Sequence, residues 1–311
     1  MPIPHGLAIE DLRVFVEVAR RGSFTAAAAT CGYTQSGVSR RIAALERATG
    51  GPLFDRRARG VRLTPAGDVL SAHATAALTA IEDAVAAVED VRRGAGGRLR
   101  IGSFATADAV LVPEALAALR RAAPDVQTTV TEGLTRELVA WLRAGTLDVA
   151  VVSDYPADEV PADGIALDHL CDDPMMVALP PGHRLAGEAA VHLADLAGDP
   201  WIEAGRLAAE ATTLHTAAAR AGFAPRTDVT VPGWTAKQGF VAAGLGVTLV
   251  PRLAAGAMRS DVVVRPLRDE AAVRRVFVAR AAGAPALPAA DRFAALLRET
   301  ATALAGAPPP V

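Results

Sequence analysis

The chain of 311 residues, of which 51% are hydrophobic and 21% charged, is long enough for two or three domains with sizeable cores. Its two cysteines and six scattered histidines exclude a disulfide framework and form no metal-binding motif. The net charge of −2 excludes a generally basic coat, but residues 1–65 carry ten Arg against five acidic residues, so a basic head precedes an acidic body, as in a DNA-binding domain joined to another module.

The first elements are three predicted helices. Residues 9–20 place apolar side chains on one helical face, at Leu12, Phe15, Val16 and Ala19. Ser23 can cap a second, Ala-rich helix that runs to about Cys31, and Gly32 supplies the turn after it. Thr34 can cap the third helix, because its side-chain oxygen can accept from a backbone N–H of the first turn.

The third helix has one apolar stripe and one polar side. The stripe consists of Val38, Ile42 and Leu45. The polar side consists mostly of Gln35, Ser36, Ser39, Arg40 and Arg41. Amide, hydroxyl and guanidinium groups read base edges in a major groove, and Arg also neutralises phosphate, so the pattern predicts a helix-turn-helix. An ordinary helical hairpin with a solvated polar face is the alternative that these residues alone leave open.

A predicted hairpin follows Leu53-Phe54. Gly60 lies between two short segments that can pair, and the hairpin would form a wing. The arginines expected to project from it are Arg56, Arg57, Arg59 and Arg62. Arg side chains there suit phosphate or minor-groove contacts, although a solvated basic loop has the same composition.

Six short motifs follow one another along this region: Gly22-Ser23-Phe24, Gln35-Ser36, Ser39-Arg40, Leu45-Glu46, Pro52-Leu53-Phe54 and Leu63-Thr64-Pro65-Ala66-Gly67. In order and spacing, the stretch Leu12–Gly67 resembles the winged helix-turn-helix of the LysR-type transcriptional regulators. One departure is Gly37, where that family usually has Ala, and Gly costs about 1 kcal/mol of helix propensity. We assign DNA binding to Ser23, Thr34, Gln35, Ser36, Ser39, Arg40, Arg41, Arg56, Arg57, Arg59 and Arg62.

A long helix is predicted from Pro65, with Thr64 as its cap, to about Arg93. Its apolar residues recur as a heptad stripe: Leu70, Ala74, Ala77, Ile81, Ala84, Val88 and Val91. A helix about 40 Å long cannot bury such a stripe by itself, which favours a two-chain interface over packing on its own domain. The equivalent helix of LysR-type regulators is the linker and dimerisation helix, and we assign dimerisation to Leu70, Ala77, Ile81, Ala84 and Val88.

Strands and helices alternate beyond the glycine-rich break at residues 94–97, which predicts a parallel-rich α/β sheet. A Pro- and Asp-rich stretch, Tyr155 to Asp163, marks a crossing into a second lobe that begins with the strand Met175–Leu179. A helix about Asp108 to Ala122 follows the first strand, and a helix from Ala289 to Leu304 ends the fold.

The sequence from Gly97 onward resembles the effector-binding domain of the same family, a two-lobed α/β fold like that of type II periplasmic binding proteins. The phrases that carry this resemblance are DPMMVALPPGHRLA and VAAGLGVTLVP. The predicted domains are 1–64 for the winged helix-turn-helix, 65–93 for the linker helix, 97–305 for the effector-binding domain and 306–311 for a disordered tail. Lobe I comprises about 97–160 and 270–305, and lobe II about 161–269.

The candidate effector site lies at the carboxyl ends of strands, where helix N-termini present N–H groups. The residues placed there by position and by family resemblance are Ser103, Phe104, Ala105, Thr106, Thr135, Ser153, Glu203, Gly233 and Trp234. Each could equally be a helix cap or core residue. Hydroxyls, helix starts and aromatic walls favour a small organic effector, most plausibly a carboxylate, and the absence of a nearby Arg predicts affinity on the order of micromolar or weaker.

Catalytic motifs such as HExxH, GxSxG and a phosphate-binding loop are absent from the sequence. Asp172-Asp173 is interpreted as a solvated hinge. We therefore expect no enzyme, cofactor or metal, but a sequence-specific transcriptional regulator, homodimeric or a dimer of dimers, with operator DNA, a small effector and RNA polymerase as candidate partners. No signal peptide or membrane segment is recognised, which predicts a cytoplasmic protein. An architectural DNA-binding protein whose second domain only oligomerises is the alternative, and an enzyme fused to a DNA anchor is a third.

Overall fold

The structure, a computed structural model, describes residues 8–57, 60–93, 97–155, 159–203, 209–268, 272–284 and 287–306. The chain forms two compact units that divide near residue 95. Of the predicted tail, residues 307–311 lie outside the described residues, whereas Gly306 is helical, so the tail prediction is wrong at its first residue.

The first unit has the predicted order of elements. These are α1 (Ile9–Arg21), α2 (Phe24–Cys31), α3 (Gln35–Thr49), β1 (Phe54–Arg57), β2 (Gly60–Leu63) and α4 (Pro65–Arg93). Phe15, Leu45 and Leu53 are fully buried in its core, and the ring centroids of Phe15 and Phe54 lie 5.2 Å apart. This apolar cluster fixes α3 on α1 and the hairpin, so the polar side of α3 is left outside.

The two halves of helix α4 have different surroundings. Thr64 caps it, since its Oγ1 accepts from the N–H of Gly67 at 3.0 Å, and the predicted helix to Arg93 is confirmed. Leu70, Ala74 and Leu78 in its first half pack against the core of their own unit. Further along, the apolar side chains are exposed, with values of 40% for Ile81, 58% for Val85 and 53% for Val88. Burial within the unit therefore accounts for only the first half of the heptad stripe.

In the described residues, the second unit contains fifteen strands and α-helices. They are β3 (Arg98–Ser103), α5 (Leu111–Ala122), β4 (Gln127–Glu132), α6 (Thr135–Arg143), β5 (Val149–Asp154), β6 (Ile165–Leu179), β7 (Pro200–Glu203), α7 (Ala209–Arg220), β8 (Arg226–Thr230), α8 (Trp234–Ala242), β9 (Thr248–Pro251), α9 (Arg252–Ala255), β10 (Val263–Pro266), β11 (Val273–Ala281) and α10 (Pro288–Gly306).

Nine of these fifteen elements are strands and six are helices, and a short 3-10 helix, Leu193–Leu196, lies between β6 and β7. Seven strands form one sheet in the order β10-β6-β11-β5-β3-β4, with β9 also paired to β6. The predicted parallel pairing is found for β3 with β4 and β5, and for β7 with β8. It is wrong for β6, β9, β10 and β11, which pair antiparallel because the chain runs back through the sheet as it passes between lobes.

Strand β6 is the structural link between the lobes. It is 15 residues long, and the predicted strand Met175–Leu179 is only its last third. The first half pairs with β11 in lobe I, and the second half pairs with β9 and β10 in lobe II. One continuous strand therefore belongs to both lobes.

Two helix boundaries differ from the prediction. Helix α5 begins at Leu111 rather than near Asp108, because the residues after Phe104 form turns, in which the N–H of Ala107 and that of Asp108 both donate to the Phe104 carbonyl. Helix α10 ends at Gly306, two residues beyond the predicted Leu304. The apolar face of α10, with Phe293 and Leu297 fully buried, packs in the core of lobe I.

The interpretation of Asp172-Asp173 as a solvated hinge is wrong for one of the two residues. The Asp172 side chain is 66% exposed, whereas the Asp173 side chain is 0% exposed and pairs with Arg274 of β11. Asp173 Oδ2 accepts from Arg274 Nε at 2.8 Å, and Oδ1 accepts from the N–H of Leu253 at 2.9 Å. Neighbouring side chains of a strand point to opposite faces, so one aspartate meets water and the other joins β6, β11 and the start of α9.

Candidate DNA-binding surface and effector cleft

Two side-chain caps and one left-handed glycine set the ends of α2 and the start of α3. Ser23 caps α2 by accepting from the N–H of Ala26, and Gly32 ends that helix with a φ of +70°, a left-handed backbone that suits glycine. Thr34 caps α3 by accepting from the N–H of Gly37 at 3.1 Å. The predicted helix-turn-helix is present in the structure, with its caps where the sequence places them.

The outer face of α3 presents the polar groups predicted to read DNA. Gln35, Ser36 and Arg40 are exposed and Ser39 is half-buried, while Val38 and Ile42 are buried beneath them. Gln35 Nε2 donates to Ser39 Oγ at 3.2 Å, a contact that holds the amide along the helix surface. One exposed face therefore carries both an amide and a guanidinium, the groups that read base edges.

Arg41 does not belong to that face. Its Nη1 donates to Asp11 Oδ1 of α1 at 2.7 Å, and its guanidinium lies 4.7 Å from the ring centroid of Tyr33. The hydrogen bond to Asp11 raises the pKa of Arg41 above its ordinary value. Arg41 therefore holds α3 against α1, and its predicted contact with DNA stays a prediction.

The wing is present as the hairpin of β1 and β2, in which Phe54 pairs with Leu63 and Arg57 with Gly60. The Arg62 side chain is exposed. The predictions for the side chains of Arg56 and Arg57 and for the whole of Arg59 fall outside the described residues. The N–H of Val61 donates to the Gly22 carbonyl at 2.9 Å, so the hairpin is anchored at the end of α1.

In lobe I the candidate effector residues follow strands β3, β4 and β5. Ser103 and Phe104 are buried, while Ala105 and Thr106 are half-buried in the turn before α5. Thr135 and Ser153 meet each other: Thr135 Oγ1 donates to the Ser153 carbonyl at 2.9 Å and lies 3.3 Å from the Ser153 N–H. The hydroxyl of Thr135 thus joins the start of α6 to the end of β5, which leaves Thr106 as the more accessible hydroxyl.

In lobe II the candidate residues lie where the parallel strands β7 and β8 end. Glu203 is the last residue of β7, pairs in register with Thr230 of β8, and is only 6% exposed. Gly233 precedes α8 and provides no side-chain cap for it. Trp234 is half-buried against the core beside β6, which makes it part of a wall rather than a free platform.

An arginine that the sequence did not point to lies beside Phe104, so the expectation that no Arg is near the candidate effector residues is wrong. The Arg274 guanidinium is 4.8 Å from the ring centroid of Phe104, and its side chain is 3% exposed. The interaction with Asp173 explains why the charge of Arg274 is buried. Because 101 residues separate the two partners, no local sequence pattern predicted the pair. Asp108, also unassigned by the sequence, lies half-buried in the same turn as Thr106, and burial raises its pKa.

The described residues hold no group of three His, Cys, Asp or Glu side chains suited to a metal ion. Among their helices, none combines the length and the apolar character that crossing a bilayer requires.

Comparison with known families decides the assignment. Residues 9–68 match the family model described as a bacterial regulatory helix-turn-helix protein of the lysR family, and residues 92–302 match the LysR substrate binding domain. The chain belongs to the LysR family of transcriptional regulators. As a LysR-family member it is a sequence-specific DNA-binding regulator with an effector-binding domain, as the resemblance of its motifs implied.

Curated members of the LysR family are similar over most of the chain. A probable hydrogen peroxide-inducible genes activator of Mycobacterium avium is 36% identical over 250 residues, which cover 79% of this chain and 78% of that protein. The regulator TfdS of Cupriavidus pinatubonensis is 33% identical over 279 residues, covering 86% and 90%. Among solved structures, CbnR, a LysR family transcriptional regulator, superposes with a TM-score of 0.73 at 22% identity, covering 95% of this chain and 99% of that one, which shows the shared fold.

Proposed function

We propose that this LysR-family regulator binds an operator of dyad symmetry through α3 and the wing, and that it does so as a homodimer or a dimer of dimers. The observation that carries the DNA-binding part is the exposed polar face of α3, with Gln35, Ser36 and Arg40 above a buried apolar stripe. Regulation of transcription from such a site would bring the protein close to RNA polymerase. A cytoplasmic location follows from the proposed action on bacterial DNA.

The exposed half of α4 supports self-association. Ile81, Val85 and Val88 expose apolar side chains on one side of the helix. Next to them a cavity of about 310 Å³ lies between α4, α1 and α2, with Val16, Cys31 and Leu78 as its apolar lining and with polar or charged side chains for the rest: Arg13, Glu17, Thr30, Thr75, Thr79 and Glu82. Apolar side chains of a second copy would fill such a space and cover the stripe, which is why we place the dimer contact on α4.

A small organic effector in the cleft between the lobes is the second part of the proposal. Some relatives are named as hydrogen peroxide-inducible genes activators, so oxidation of a thiol is an alternative signal. In this chain burial raises the pKa of Cys171 to about 11 and also raises the pKa of Cys31. Thiols react as thiolates, so both cysteines are poorly suited to sensing an oxidant. The uncapped start of α8 and the hydroxyl of Thr106 instead suit a carboxylate.

The DNA-binding part predicts the effect of removing Arg40. Arg40→Ala should lower affinity for the operator by about 1–3 kcal/mol and relax base preference, because a guanidinium contact to a base edge is lost. Arg62→Ala in the wing should weaken binding to all sequences and reduce the salt slope by about 1. Salt titrations with operator and unrelated DNA measure both effects.

Arg120→Ala provides the control, because Arg120 is exposed on α5 in the second unit. It should leave both affinities unchanged. Operator affinity that stays the same in Arg40→Ala would remove that residue from the interface.

The effector part predicts that Ser103→Ala combined with Thr106→Val weakens binding of small carboxylates by about tenfold or more, since a hydrogen bond to a charged group contributes about 1.5–3 kcal/mol. Isothermal titration with aromatic and aliphatic carboxylates measures the change. Thr129→Val, an exposed threonine on β4, is the matched control. Carboxylate binding that survives the double substitution would place the pocket elsewhere.

A further inference from the structure

Two buried carboxylate oxygens near the candidate effector residues indicate that the effector is more than a simple carboxylate. Six buried side-chain atoms among the described residues lack a hydrogen-bond partner, and two of them are carboxylate oxygens, Asp108 Oδ1 and Glu203 Oε1. Asp108 follows β3 in lobe I, and Glu203 ends β7 in lobe II. Both therefore lie at or beyond the carboxyl ends of parallel strands, which is where ligands bind in open α/β sheets.

Glu203 is the stronger of the two acceptors. Its side chain is 6% exposed, and His215 Nδ1 lies 3.5 Å from Oε1, beyond the range of a well-formed hydrogen bond. Leaving a buried charged acceptor without a donor is costly, and a ligand that brings an N–H group would remove the cost. A protonated amine supplies both the hydrogen bond and the opposite charge.

The start of α8 lies beside this acceptor. β7 and β8 are parallel and Glu203 pairs with Thr230, so both strands end at the same edge, and α8 begins four residues after Thr230. The N-cap Gly233 offers no side-chain hydrogen bond, so the first N–H groups of this nine-residue helix remain for an acceptor, and the helix dipole favours a negative one. An acceptor for an ammonium and donors for a carboxylate are thus neighbours in lobe II.

We propose that the effector is a 2-amino carboxylate, whose ammonium group donates to Glu203 Oε1 and whose carboxylate accepts from N–H groups at the start of α8. The inference rests on the proposed effector function and narrows its chemistry. The body of the molecule extends toward lobe I, where Phe104 forms part of the wall. We expect acids that lack an amine to bind less tightly than amino acids, because they would leave Glu203 Oε1 without a donor.

Matched sets of three compounds test the proposal on the full-length protein by isothermal titration. The sets are L-phenylalanine, 3-phenylpropanoate and 2-phenylethylamine; L-leucine, 4-methylpentanoate and 3-methylbutylamine; and L-glutamate, glutarate and 4-aminobutanoate. At least one 2-amino acid should bind about tenfold or more tightly than the other two members of its set. Glu203→Gln should reduce that preference to about threefold or less, because it removes the charge but keeps the shape.

Glu188→Gln is the matched control, since Glu188 is an exposed residue of the same lobe, and it should keep the preference. Acids without an amine that bind as tightly as the amino acids would overturn the inference and leave the proposed effector site standing. A preference for the amine alone, or one unchanged in Glu203→Gln, would also overturn it. Failure of the proposed function is distinct: no compound would bind, or bound compounds would leave the operator footprint unaltered.

Discussion

Arg274→Met should lower the free energy of unfolding of the second unit by about 3–5 kcal/mol, since removing one partner of a buried ion pair leaves an uncompensated charge. Asp173 would keep its contact with the Leu253 N–H but lose the guanidinium that lies on its other oxygen. The same substitution removes the cation beside the Phe104 ring, 4.8 Å from its centroid. Denaturant unfolding followed by circular dichroism measures the loss.

A double substitution separates the contribution of the two charges to stability from the contribution of the packing around them. Asp173→Leu with Arg274→Met replaces both charges by apolar side chains of similar size, and should recover most of the lost stability. Arg259→Met is the surface control, because Arg259 pairs with Asp261 where both side chains are about half exposed, and the midpoint of unfolding should stay the same. A double variant as unstable as the single one would show that shape, rather than charge, is what the site requires.

Ile81→Asp has the second large expected effect. Within the proposed dimer the new carboxylate would be buried without a partner, at a cost of several kcal/mol per chain. We expect monomers in light scattering at micromolar concentrations and loss of binding to an operator with dyad symmetry. The winged domain should remain folded, because Ile81 is 40% exposed and is not a member of its core.

Ala72→Asp provides the matched control for this experiment. Ala72 is exposed and lies nine residues before Ile81, which places it on the opposite side of α4. It should leave the oligomer and operator binding intact. A full-size oligomer for Ile81→Asp would move the dimer contact away from this part of α4.

The first unit was predictable because its determinants are local. The cap at Thr34, the left-handed turn at Gly32 and the spacing of Val38 and Ile42 all act within a few residues. Each can be read from a short stretch of sequence, and the structure agrees with each. The long helix α4 followed for the same reason, since Thr64 and an unbroken heptad mark its course.

The parts that could not be predicted depend on pairs distant in the chain. The ion pair of Arg41 was missed because its partner, Asp11, is 30 residues away on another helix. Asp173 looked solvated because Arg274 is 101 residues away and only strand pairing brings the two together. The direction of β6 and β11 was missed likewise, since alternating strands and helices do not reveal where a chain turns back between lobes.

The continuity of β6 has a consequence for how this domain can be divided. Each lobe needs half of that strand to complete its sheet, and lobe I also needs β11 and α10 from the far end of the chain. A cut at the crossing would leave unpaired backbone edges on both products, and such edges invite aggregation. We therefore expect neither lobe to fold without the other, so that effector choice is most readily altered through the loops and side chains around the strands.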